Sequence, residues 1–158
     1  MSKKKFREGP VGAILDEYER AVEEYKQLLL SISSNDYTRI IDPRTSDPDC
    51  VSVQTITNHV IRAGYGYANY IRRQFKDPLV ERKETYDIPD VAAANQELDN
   101  MLLYNAETLQ NKMNITEKEI IDNPILTNWG QTYDFEQLLE HAIVHVLRHR
   151  RQIERLLE

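Results

Sequence analysis

The sequence predicts an all-α fold, a four-helix bundle with long connections between its helices. Three observations carry that expectation. Four segments place apolar residues at steps of three and four, the period of one helix face. Pro- or Asp-rich stretches separate those segments. Only five glycines and six prolines occur in 158 residues, too few for the many turns of an all-β fold. A chain of this length can bury roughly 68–70 % of the surface it exposes when unfolded, so folding needs no disulfide or metal staple. Residues 1–158 are therefore expected to form one domain, with residues up to about Gly9 as a flexible start that includes Lys3, Lys4 and Lys5.

The first helix is expected from Pro10 to Ile32. Proline suits a first turn, where its missing N–H goes unused. Ile14, Leu15, Tyr18, Val22, Tyr25, Leu28, Leu29 and Ile32 mark its apolar face. A loop follows, with Asp42-Pro43 and Asp47-Pro48 favouring turns. The second helix begins near Ser52 and ends by Asp77-Pro78. Val53, Ile56, Val60, Ala63, Tyr67, Tyr70 and Ile71 form its stripe. The third runs from Asp90, a suitable N-cap, to Met113. Leu98, Met101, Leu102, Asn105, Leu109 and Met113 line its inner side. Residues 114–132 are mixed, with one short helical turn at Thr116 to Ile121. The fourth helix starts at Asp134 and runs to the C-terminus.

Composition narrows the function. With 20 basic against 26 acidic side chains, the net charge is −6. Nucleic-acid binding normally needs a basic surplus to displace counterions, so no nucleic-acid partner is expected. No apolar run approaches the roughly 18 residues of a membrane span, so no membrane partner is expected either. The N-terminus has no apolar core of a signal peptide. Cys50, the single cysteine, excludes an internal disulfide and a multi-Cys zinc cluster. These points suit a reducing cytoplasm.

The histidines carry the strongest functional signal. Of four in the chain, three lie in the fourth helix, at His141, His145 and His149. Residues four apart stack one turn above the other on a helix. Two such imidazoles can bind one divalent metal at about 2.0–2.1 Å, and a facing helix can add a third. With Phe135 at zero and about 100° per residue, His149 falls near 320° and His145 near 280°, in or beside the apolar arc. His141 falls near 240°, at the boundary with the charged arc. On the second helix His59 lies at the edge of the apolar face. Spacing alone leaves two readings open: a metal site, or histidines at the rim of a core.

The segment Val144-His145-Val146-Leu147-Arg148-His149-Arg150-Arg151-Gln152-Ile153 resembles the final-helix signature of the DinB/YfiT-like family, His-x-x-x-His-Arg-Gly-Gln-Ile. His59 stands where that family has a second-helix histidine. The resemblance covers the order of helices and implies a divalent metal held by His59, His145 and His149. The chain departs from the pattern at Arg151, where glycine is usual, and at Val146, where an acid or amide is common. Val51-Ser52-Val53-Gln54 replaces a tryptophan-containing segment. The family includes thiol-dependent transferases and isomerases, so the resemblance implies a small-molecule substrate, a low-molecular-weight thiol among the candidates, and a homodimer.

Three neutral histidines leave a coordination position open, as in catalytic rather than structural zinc sites. Zinc is the default metal, with nickel, iron and manganese compatible. The outer ring nitrogens need partners, and Glu107, Asn105, Gln152 and the tyrosines of the second helix are candidates. The leading reading is a metal-dependent transferase or hydrolase activating a thiol or water. The alternative is a non-catalytic bundle that self-associates, with structural histidines. No Glu-x-x-His or His-Glu-x-x-His occurs, which excludes di-iron bundle and metalloprotease motifs.

Other features read as structural. Gly64-Tyr65-Gly66-Tyr67 lies inside a helical pattern and suits close helix packing, not phosphate binding. Tyr67 and Tyr70 suit core packing with a polar tip. Arg148, Arg150, Arg151 and Arg155 form a solvated face. Cys50 lacks a visible base partner. Trp129 can serve as a packing anchor or as a pocket wall.

Overall fold

Four long helices form close to where the apolar periodicity places them: α1 (Gly9–Leu30), α3 (Val53–Gln74), α4 (Val91–Leu109) and α6 (Phe135–Leu157). The structure is a computed structural model and describes residues 5–158. Lys3 and Lys4 lie outside the described residues. Helix starts follow from local chemistry. Pro10 occupies the first turn of α1. Ser52 and Thr55 close a reciprocal capping box on α3, and Asp134 and Gln137 do so on α6. Asp90 accepts the Ala93 N–H at 2.8 Å to cap α4. Each cap satisfies N–H groups that have no partner inside the helix.

α1 and α3 each pack against both α4 and α6, which gives the bundle its four-sided arrangement. Tyr18, Tyr25, Ile56, Leu98, Met101 and Phe135 are fully buried in its centre. Several polar atoms in this core are paired across helices, as burial favours. Tyr25 Oη and Thr57 Oγ1 are 3.0 Å apart and link α1 to α3. Asn105 donates to the Gly64 carbonyl at 3.2 Å and links α4 to α3. At Gly64 a Cβ would run into the buried Met101 side chain, so this glycine sets how closely α3 and α4 approach.

The connections hold more structure than the sequence suggested. In the first, α2 (Ser34–Thr38) follows the Ser33 cap, and Pro48–Cys50 form one 3-10 turn. Buried Tyr37 donates to the Ile88 carbonyl at 3.0 Å, which ties this connection to the next. α4 ends at Leu109, short of Met113, and continues as a 3-10 turn over Gln110–Lys112. Buried Lys112 pairs there with Asp77. The expected turn after Thr116 is α5 (Glu117–Asp122), capped by Thr116.

Beyond it, β1 (Ile125–Leu126) and β2 (Thr132–Tyr133) form a small antiparallel hairpin pairing Ile125 with Tyr133 and Leu126 with Thr132. Two residues per strand are too few to show a period of two, which is why no strand was expected. Arg7, within the stretch expected to be loose, donates its backbone N–H to Asp16 at 2.9 Å and its guanidinium to Glu19 at 2.6 Å. No helix among the described residues is long and apolar enough to cross a membrane.

Candidate metal centre

The packing of α3 against α6 brings His59 to His145, with Nε2 3.0 Å from Nε2. His149, one turn further along α6, completes the group. Its ring centroid lies 4.5 Å from that of His145 and 4.9 Å from that of His59. One ring nitrogen from each of the three lies within 4.8 Å of the others. The structure therefore brings together the three histidines that the sequence singled out.

The donor set fits a cation. His59 Nδ1 is 3.1 Å from Asp49 Oδ2, and Asp49 also takes the Arg62 guanidinium. His149 Nδ1 is 2.8 Å from Gln152 Oε1. Both nearest outer partners are acceptor oxygens, an arrangement that favours the proton on Nδ1 and the lone pair on Nε2. Imidazole lone pairs that face one another at such distances repel unless a proton or a metal lies between them.

A metal site also needs the rings to be neutral. Burial pushes the His145 pKa down to about 3, and the neighbouring His149 and His59 add to the effect. Burial lowers His149 as well, against a partial opposing effect of the Gln152 contact. Among the described residues no carboxylate joins the three-histidine group. Three nitrogen donors leave room for a further ligand.

A cavity of about 520 Å³ opens beside His59 and His145. That volume falls in the usual range for small-molecule sites. Its walls are aromatic: Tyr67 and Tyr70 from α3, His141 from α6, and Trp129 from the hairpin turn. Trp129 stacks on His141, with centroids 5.7 Å apart and planes at 26°. It meets Tyr67 and Tyr70 edge-on at 6.4 and 5.8 Å. Tyr70 Oη accepts the Asn128 N–H at 2.8 Å, which fastens the turn to α3. Trp129 is 49 % exposed and serves as a pocket wall.

The remaining sequence candidates sort clearly. His141 stands outside the three-histidine group, against Trp129 and 3.4 Å from Tyr133 Oη. Gln152 is an outer partner, as expected. Asn105 is instead buried between α3 and α4, and Glu107 is exposed on α4. Tyr67 packs edge-on to His145 at 5.7 Å.

Asp49 was missed by sequence reasoning. It sits in the turn before α3, directly after the Asp47-Pro48 pair, where no local pattern marks a site. Cys50, beside Asp47 at 3.6 Å, has its thiol pKa raised by burial, the opposite of an activated nucleophile. Arg148, Arg151 and Arg155 are exposed, whereas Arg150 pairs with Glu24 on α1. No curated protein matches the sequence. The model of the DinB family does match, over residues 1–158. With the match running the full length of the sequence, the chain belongs to the DinB family.

Proposed function

We propose that the protein is a divalent-metal-dependent enzyme, with His59, His145 and His149 as ligands, acting on a small molecule by transferase or hydrolase chemistry. One observation carries the reading: three imidazoles from two helices converge within 4.8 Å, and two of them have their outer nitrogens held by acceptors. Zinc is the default occupant, with nickel, iron or manganese compatible with such donors. A bound divalent cation lowers the pKa of a coordinated water or thiol and so supplies a nucleophile near neutral pH.

The chain's residues perform the rest. Asp49 and Gln152 orient the rings of His59 and His149. Tyr67 and Trp129 shield one side of the site and shape the adjoining cavity. The single cysteine suits a reducing, cytoplasmic setting. Self-association of bundles as a homodimer is part of this reading. Val144 and Leu147, 42 % and 36 % exposed three residues apart on α6, favour it.

The test uses metal-loaded protein in two assays, a low-molecular-weight thiol with a nitroaryl halide and hydrolysis of a nitrophenyl ester. Acceleration of either reaction, abolished by chelator and by His145→Ala, is expected. Equal rates with and without the protein in both assays contradict the reading.

A further inference from the structure

The cavity beside the three histidines has a chemical character of its own. Its aromatic wall lies on one side, where Trp129 presents half of its surface and is braced edge-on by Tyr67 and Tyr70. Such a wall favours offset or edge contacts with another planar ring. Two guanidiniums, Arg73 and Arg82, line the cavity with one carboxylate, Glu81. Arg73 and Glu81 pair with each other at 3.4 Å. Arg82 has no acidic partner among the described residues, and its Nη1 lies 3.9 Å from where a Cβ on Gly66 would stand. Arg82 is exposed, and its guanidinium lies on the cavity rim beside Gly66.

The electrostatics agree. The whole chain carries a net charge of −6, yet the titratable lining of this cavity is positive. Arg73 and Arg82 outnumber Glu81 there. An acidic protein that keeps a cationic cavity selects anions against its own overall field.

We propose that this cavity binds a planar aromatic or conjugated ring carrying a carboxylate, the ring against Trp129 and the anion at Arg82. The substrate role of such a molecule rests on the metal-centre reading above, whereas its binding is measured on the chain alone. Guanidinium and carboxylate match as paired donors and acceptors. Tyr67 and Tyr70 close the pocket on the apolar side of the ring.

Trp129 is the only tryptophan in the chain, so its fluorescence reports directly on the cavity. The full chain, as purified and after chelator treatment, is titrated with para-nitrobenzoate, a planar quenching anion. Free N-acetyltryptophanamide provides the inner-filter control. Saturable quenching of the protein is expected in both preparations. Para-nitrobenzamide, the neutral counterpart, is expected to bind at least about tenfold more weakly, as loss of one charge-assisted contact implies. Arg82→Gln should weaken para-nitrobenzoate by a similar factor and leave the amide unchanged. Cyclohexanecarboxylate, an anion without a planar ring, should displace the probe poorly.

Quenching that stays linear, like that of the free indole, overturns the proposal. So does equal binding of amide and carboxylate, or an Arg82→Gln variant that binds like the parent. Metal content measured on the same samples separates the two readings. Saturable, Arg82-dependent binding by a chain that takes up no metal supports the cavity and sinks the metal centre. Metal uptake without saturable quenching does the reverse.

Discussion

Asp49 accepts from two donors at once, the Nδ1–H of His59 at 3.1 Å and the guanidinium of Arg62. Its work at the site is to fix one ring and one tautomer. Asp49→Ala should therefore weaken zinc affinity by about 10–100-fold, the usual effect of losing such an outer partner. Competition with a chromogenic chelator measures it, with an unchanged far-ultraviolet spectrum showing that the fold is retained. Unchanged affinity would remove Asp49 from the account. His145 and His149 were legible in the sequence because a helix enforces their four-residue spacing. His59 was legible as a position on a helix face. Asp49 was not, since no local rule says where a turn ten residues upstream folds back.

His141 supplies a pH prediction at the same scale. Burial first, and Arg148 second, hold its pKa below the ordinary 6.5. On acidification the unfolded chain thus takes up this proton before the folded one does. The contribution to stability is unaffected above the ordinary value, declines as the pH falls below it, and levels off beneath the folded value. Because Trp129 stacks on His141, its fluorescence should step as the ring gains charge. The expected midpoint lies below 6.5, and His141→Gln should abolish the step. A midpoint at or above that value would contradict the buried, stacked placement.

At the scale of elements, α3 and α4 meet in a closely fitted contact. Gly64 faces Met101, which is fully buried. The Met101 sulfur accepts from Tyr18 Oη at 3.7 Å and from Asn105 at 3.5 Å. Gly64→Ala improves helix propensity but inserts a methyl where the sulfur stands. Overpacking of this kind costs about 1–3 kcal/mol and should exceed the propensity gain of about 1 kcal/mol. Denaturant unfolding is expected to show net destabilisation, and Met101→Ala should cost less in the Gly64→Ala background than in the parent. A more stable single variant would show that α3 and α4 have slack.

The long elements were legible because their caps and stripes agree: Ser52, Asp90 and Asp134 each stand one residue before an apolar repeat. Short elements were not. α2 and the β1–β2 hairpin are held by tertiary contacts such as Tyr37 to Ile88 and Tyr70 to Asn128, and five or two residues show no period. The hairpin matters to the candidate site because it delivers Trp129. Sequence reasoning left that residue open between anchor and wall for this reason.

For the whole molecule, the bundle supplies the frame, and a metal at the proposed centre would add to it. The core of buried aliphatic and aromatic side chains spans all four long helices, so the chain should fold without metal. Binding to the folded state alone then stabilises by mass action, about 2.7 kcal/mol at a free zinc concentration 100 times Kd. The melting temperature should rise by roughly 2–4 °C for each kcal/mol in a chain of this size. Thermal scans are expected to show the rise for the parent and its absence for His149→Ala, with both folded at the start. An equal rise in the two would place the zinc elsewhere.

The most direct measurement is the elemental metal content of the untagged chain, purified without chelator, beside His59→Ala, His145→Ala and His149→Ala. The expected result is close to one divalent ion per parent chain, with the ion lost in each variant while helicity is retained. A parent chain that holds no metal, even after incubation with zinc and with nickel at neutral pH, would contradict the metal centre. Full retention of metal in all three variants would contradict it equally.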